Sequence, residues 1–368
     1  MILYKCMKIK SIKIENFRNY NKLNIDLSSG VNVFVGKNAQ GKTNLLESIY
    51  YCSIGKSTRT TKDKELILWN KEKGKVAVEI EKEFNKSKIE IFLSQKEKKT
   101  IKINGLPIKR MGEIMGELTV IYFSPDEIRL IKDAPQDRRR FMDIDISQMS
   151  KNYFYLLCRY DKILNQRNKL LKQTRDIKIV EDTISIWDEQ LSEVASKIIM
   201  NRIFFVNKLL RPAKEIHNYI TQNKEDLSIS YQGITGKDAD DIKKKLLKGY
   251  QDNLQKDFEL GYTTIGPHRD DLKVVINNID IRSFGSQGQQ RLATLSLKLA
   301  ELEIFKKEHN ETPVLLLDDV LSELDEERQL RFLNKIKGLQ TIITCTKYNY
   351  PVQENVSIFY IENGGLKK

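Results

Sequence analysis

The chain runs to 368 residues, room for one large domain with an elaborated insert or for two domains. Apolar residues make up 40% and charged ones 31%, and no stretch approaches the roughly 18 to 20 uninterrupted apolar residues of a membrane helix, so a helical membrane protein is excluded. The 63 basic against 50 acidic residues leave a formal +13, which favours contact with a polyanion, although lysine-rich enzymes that bind none share it.

Cys6, Cys52, Cys158 and Cys345 lie far apart and form no C-x-x-C pair, which argues against a zinc site and a disulfide framework. The first residues show no apolar run with a small-residue cleavage site. Both features predict a cytoplasmic location.

Taken in chain order, alternating apolar and polar residues predict a strand over 7–17. Gly30 then opens a second strand over 31–35, rich in β-branched residues. A glycine-bounded loop and a helical run over 44–50 follow. Alternation returns over 76–80, 89–93 and 100–103, with Asn104-Gly105 as a hairpin turn. From about Pro125 the period changes. Tyr153, Leu156, Leu157, Tyr160, Ile163, Leu164, Leu170 and Leu171, then Ile184, Trp187, Leu191, Val194, Ile198, Ile199, Phe204 and Leu209, recur at helical spacing and predict two long helices. Strand patterning resumes over 227–231 and 272–276. An amphipathic helix over 291–305, an apolar strand over 314–317 and another apolar run over 341–344 complete the pattern. The expected fold is α/β: one head built from N- and C-terminal parts (1–125 and 223–368) with a helical lobe, 126–222, inserted between them.

Gly36-Lys37-Asn38-Ala39-Gln40-Gly41-Lys42-Thr43 fits G-x-x-x-x-G-K-[ST] and stands between an apolar strand and a helix, as that motif requires. Its glycines let backbone N–H groups approach phosphate oxygens, and the helix adds its positive end. Lys42 is expected to reach the β and γ phosphates of ATP, Thr43 to ligate Mg²⁺, and Asn44 to join the nucleotide contacts. Val314-Leu315-Leu316-Leu317-Asp318-Asp319 is a buried-type strand that ends in two acids. Asp318 is assigned to the metal and Asp319 to activation of the attacking water.

Ser286-Gln287-Gly288-Gln289-Gln290-Arg291 opens a helix and resembles the signature of ATP-binding-cassette ATPases, which in that family is offered to the γ-phosphate held by the opposing subunit. A serine hydroxyl, a glycine N–H and a helix N-terminus make sense as such an anion site. Ser286, Gly288 and Gln289 are therefore expected to act in trans, within an ATP-dependent homodimer. Ser322-Glu323-Leu324-Asp325 resembles the D-loop of the same seam.

Within that superfamily the chain resembles the RecF family. The likeness is carried by Glu15-Asn16-Phe17-Arg18-Asn19-Tyr20, the phosphate loop, Phe123-Ser124-Pro125-Asp126, Arg138-Arg139-Arg140-Phe141-Met142-Asp143, Gly266-Pro267-His268-Arg269-Asp270-Asp271-Leu272, and the stretches 285–301 and 315–325. The resemblance implies ATP-driven dimerisation on duplex DNA near single-strand gaps and release by a weak, DNA-stimulated hydrolysis. It also implies RecR and RecO as partners that help RecA load. Two departures stand out: Phe123-Ser124-Pro125-Asp126 lacks the usual glutamine, and Thr344-Cys345-Thr346 occupies the place of the transporter switch histidine, so Thr344 or Thr346 is a candidate sensor of the γ-phosphate. The missing histidine and the large helical insert disfavour a transporter subunit. Arg59 is a further candidate nucleotide contact, and Arg138, Arg139 and Arg140 fit either phosphate binding or anchoring of the helical lobe.

Overall fold

The computed structural model describes residues 5–82, 85–124, 129–174, 176–309, 311–348 and 355–367. Pro125 and Asp126 of the expected loop lie outside that set. By internal contacts the chain divides into two units. One comprises 1–128, 216–224 and 294–368, and the other 129–215 and 225–293.

The first unit is the α/β head, and it holds two six-stranded sheets. One is ordered Gly365–Leu366, Val356–Glu362, Val31–Val35, Thr341–Cys345, Val314–Asp318, Val120–Phe123, and apart from the first pair its strands run parallel. Such strands are covered on both faces, which is why Val314, Leu315, Leu316 and Leu317 are all buried in an unbroken apolar run. The other sheet is antiparallel, ordered Tyr20–Asp26, Lys8–Phe17, Lys73–Glu81, Lys86–Ser94, Thr100–Ile103, Leu106–Pro107. Here Ile12, Ile14, Val76, Val78, Ile89 and Ile91 turn inward; Lys13 and Glu90 alternate with the isoleucines, while Ala77 between the two valines is itself buried. The helix Lys42–Ile54 packs against strands of both sheets, and it is apolar on nearly every side because Leu45, Leu46, Ile49, Tyr51 and Cys52 each face a wall.

The second unit carries the helices Pro135–Met149, Lys151–Gln173, Ala239–Asp252 and Leu254–Leu260 and most of Ile177–Thr221. It also has its own small sheet, Leu227–Gln232 with Asp271–Ile276 and Ile279–Asp280. Residues 225–293, expected with the head, therefore fall in the second unit. The reason is local. These strands pair only with one another among the described residues, and Asp271 is gripped by Arg138 at 2.6 and 3.0 Å.

Candidate nucleotide site

The strand Val31–Val35 delivers the loop, and its central place puts the loop at the carboxyl edge of the parallel sheet, where ligands of open α/β sheets gather. Gly41 caps the following helix at φ 112°, a conformation that disfavours any side chain, and a Cβ there would stand 2.6 Å from the Asn19 amide. Lys42 is 93% buried by the loop it serves: its Nζ donates to the carbonyls of Gly36 at 2.5 Å and Lys37 at 2.9 Å. Burial lowers its pKa from the usual lysine value, and Asp319, Cys345 and Asp318 oppose that shift.

The acid strand ends beside this loop. Asp318 Oδ1 accepts from Thr43 Oγ1 at 3.1 Å and from Thr344 Oγ1 at 2.6 Å, while Oδ2 accepts from the Tyr122 hydroxyl at 3.2 Å. Three hydroxyls thus fix one carboxylate. Asp319 differs. Its backbone is left-handed at φ 53°, its N–H donates to the Thr344 carbonyl, and its Oδ1 is buried without a hydrogen-bond partner. A buried carboxylate oxygen left in that condition is costly unless a ligand or ordered water completes it. Thr43 and Asp318 supply hard oxygen donors 3.1 Å apart, a set that fits a hexacoordinate Mg²⁺ completed by water and phosphate.

A bracket of residues holds the loop from outside. Asn19 Nδ2 donates to the Gln40 carbonyl at 3.0 Å and Tyr20 Oη to the Gly41 carbonyl at 2.9 Å. The Gly364 N–H reaches the Gln40 carbonyl at 3.1 Å, and the Asn363 N–H reaches Gln40 Oε1 at 2.6 Å. Asn44 donates to Asn19 Oδ1 at 2.8 Å and accepts from Arg59 Nη1 at 3.0 Å. One turn further along that helix, fully buried Glu47 takes a two-bond grip from Arg18 and a hydrogen bond from Ser57.

The structure thus brings Lys42, Thr43, Asp318 and Asp319 together. It gives Asn44 loop-bracing partners and sets Thr344 behind Asp318, whereas Thr346 is exposed. Tyr122 and Glu47 were not expected in the site, and Asn19 was quoted only as part of a resemblance. An asparagine in a turn and a tyrosine in a short strand carry no positional code, and only the fold reveals what they touch.

Ser286, Gly288 and Gln289 belong to the second unit. The Ser286 N–H donates to Gln289 Oε1 at 3.0 Å and the Gln289 N–H to Ser286 Oγ at 3.2 Å, a reciprocal cap at the start of the helix Gln287–His309. Ser286 and Gly288 remain exposed. In the head, Ser322 Oγ donates to the Asp319 carbonyl at 2.7 Å, and Asp325 caps the helix Glu326–Lys335. Arg138 is buried and bound to Asp271 and three carbonyls, and Arg139 donates to the Asp270 carbonyl, so both act as anchors within their unit.

The family model described as RecF/RecN/SMC N terminal domain matches residues 8–365. The DNA replication and repair protein RecF of Clostridium acetobutylicum is 45% identical over 366 residues, covering 98% of this chain and 99% of that protein. The chain belongs to the RecF family. Its counterpart in Clostridium tetani is 47% identical over 367 residues, covering 97% and 99%. A solved structure of the recombination mediator protein RecF with ATP, in the RecFOR pathway, matches with a TM-score of 0.91 at 38% identity, over 99% of this chain and 98% of that one. An Smc head from Pyrococcus furiosus, at 17% identity and TM-score 0.56, shares the fold of this RecF-family chain. Among the described residues no helix is long and apolar enough to cross a membrane.

Proposed function

We propose that the chain is an ATP-dependent DNA-binding protein of recombinational repair, closing as a dimer on duplex DNA near single-strand gaps and released by hydrolysis. The observation that carries this reading is the meeting of Lys42, Thr43, Asp318 and Asp319 at one sheet edge, with an Asp319 oxygen buried and unpartnered. Backbone N–H groups of the loop from Gly36 through Thr43, including Lys37, Asn38, Ala39, Gln40 and Gly41, would surround the triphosphate. Lys42 would exchange its two loop carbonyls for phosphate oxygens. Thr43 and Asp318 would hold Mg²⁺, which when bound neutralises charge on the β and γ phosphates.

Asp319 would orient a water in line with the γ-phosphorus and take up its proton as the bond to the β–γ bridging oxygen breaks. The shorter side chain of aspartate, relative to glutamate, favours slow turnover suited to a switch. Ser286, Gly288 and Gln289 from a second copy would complete the anion site, and the exposure of Ser286 and Gly288 at a helix N-terminus supports that role. The solved RecF–ATP structure is described as belonging to the RecFOR pathway, which supports RecO and RecR as partners in delivering RecA to gapped DNA. The test is sedimentation of Ser286→Arg with and without ATP on a gapped duplex. ATP should still bind the variant, while the ATP-dependent dimer should disappear; a variant that dimerises and hydrolyses normally ends the shared-site reading.

A further inference from the structure

A cavity of about 330 Å³ lies inside the second unit, and its lining shares no residue with the nucleotide site. Its size is at the lower end of small-molecule sites. Two stretches that ATP chemistry leaves without a part supply its walls, Arg138 from one and Asp271 and Leu272 from the other. The strand Asp271–Ile276 explains the space. Leu227–Gln232 pairs with it along its whole length, whereas Ile279–Asp280 pairs on the other side only at Val275 and Ile276. The chain then continues into the short helix Ile281–Phe284, which leaves residues 271–274 without a strand on that side among the described residues. The cavity is lined by those four residues.

Buried Ile131, Leu272 and Val274 give the cavity an apolar side. Its charges are mostly spent. Arg138 holds both oxygens of Asp271, at 2.6 and 3.0 Å, and places its remaining nitrogen on three carbonyls. Asp280 accepts from the Arg282 N–H at 2.9 Å as a helix cap. Two exposed cations remain. Lys273 forms no ion pair with the described residues, and the Arg282 guanidinium stays 3.8 Å from Asp271. Three cations against two carboxylates leave the lining one positive charge in excess, which a single anionic group on a ligand neutralises.

The wall that carries Arg282 is tied to the signature helix. The Ile281 carbonyl accepts from Gln290 Nε2 at 2.8 Å and from the Gly285 N–H at 3.1 Å, immediately before Ser286. Gly285 has no room for a side chain, because a Cβ would stand 2.6 Å from that same carbonyl. We propose that the cavity binds a small organic monoanion, with its apolar body against Ile131, Leu272 and Val274 and its anionic group between Lys273 and Arg282. The bound molecule favours the ATP-dependent dimer by holding the turn that presents Ser286. Binding is independent of the ATP reading; the effect on the dimer rests on the shared-site reading.

The probe is naphthoate, compared with uncharged naphthamide and titrated into the full chain without ATP, with binding followed by saturation-transfer NMR. The acid should bind with a Kd of about 1 mM or tighter, and the amide about tenfold more weakly. Joint replacement of Lys273 and Arg282 by glutamine should weaken the acid about tenfold while the circular dichroism spectrum is unchanged. ATP should not displace the acid. In sedimentation with ATP, saturating naphthoate should lower the protein concentration at which the parent dimerises about fivefold and leave the double variant unmoved. No binding of the acid, equal binding of acid and amide, unchanged affinity in the double variant, or displacement by ATP overturns the site. A bound acid that leaves dimerisation unmoved overturns the coupling. A parent that never dimerises with ATP overturns the coupling together with the shared-site reading, and the binding site still stands.

Discussion

Two regions of the molecule use the same residue types to opposite ends. In the second unit, fully buried Arg167 donates to Asp188 at 2.6 Å and to Asp257 at 2.7 Å. Arg202 there holds both oxygens of Asp143 at 2.9 Å. Each of these carboxylates faces a guanidinium that its own unit supplies, and Asp257 takes two further bonds from Thr264. In the head, Lys42 stands beside two acids yet donates to loop carbonyls, and Asp319 keeps a buried oxygen unpartnered. Charges matched to one another lock a fold, whereas charges held apart by rigid backbone are poised for a ligand. The RecF-family head keeps the second kind within a frame made of the first.

The contrast breaks most readily at the head. Asp319→Asn should keep the fold while ATP hydrolysis drops by about 10²–10⁴-fold, and Lys42→Arg by about 10²–10³-fold, read by phosphate release alongside circular dichroism. Retained turnover in both would show that the open carboxylate does no chemistry.

Arg167→Ala should act on stability instead. Stripping the partner from two buried carboxylates costs about 3–5 kcal/mol, measurable as a lower midpoint for unfolding of the second unit in denaturant. A loss under 1 kcal/mol, roughly the worth of an exposed pair, would mean that water reaches the cluster.

His268 sharpens the comparison through pH. Burial pushes its pKa down to about 4, and its ring accepts from the Tyr160 hydroxyl at 2.6 Å while Nε2–H donates to the Thr263 carbonyl at 2.9 Å, the pattern of a neutral imidazole. Between about 4 and the usual 6.5 the unfolded chain binds the proton more readily than the folded one. Its contribution to stability is therefore present near neutrality and falls as pH drops through that window. Asp270, raised by burial to about 6, runs the other way, so the measurement is the difference between parent and His268→Gln at pH 7 and pH 5. Imidazole resonances should place the His268 midpoint near 4; a midpoint near 6.5 would mean an open site. The smallest effect belongs to Thr344→Val. Removing one of three hydroxyls from Asp318 should slow hydrolysis about fivefold, a shift of about 1 kcal/mol.

The head was legible in the sequence where chemistry demands a fixed spacing: Gly36 through Thr43, and the apolar strand that ends at Asp318 and Asp319. The long helices were legible from their period. The short strand Val120–Phe123 was not, because four apolar residues show no period that separates strand from helix, and Tyr122 was lost with it. The strand Val356–Glu362 is not legible either, although it lies beside Val31–Val35. Pairing between segments so distant leaves no local trace. The same holds for 225–293, whose strands read correctly as strands but gave no sign of the partners that place them in the second unit.

The latch on Gln40 has a consequence for biosynthesis. The turn that reaches it lies 323 residues downstream, and the strand Val31–Val35 waits for Thr341–Cys345 and Val356–Glu362 on either side. While the ribosome is still translating, the early phosphate loop has no sheet to stand on and no clasp to shape it. The polypeptide thus becomes competent for nucleotide only after nearly all of it has been synthesised, and until then the exposed strand edges are a natural client surface for chaperones.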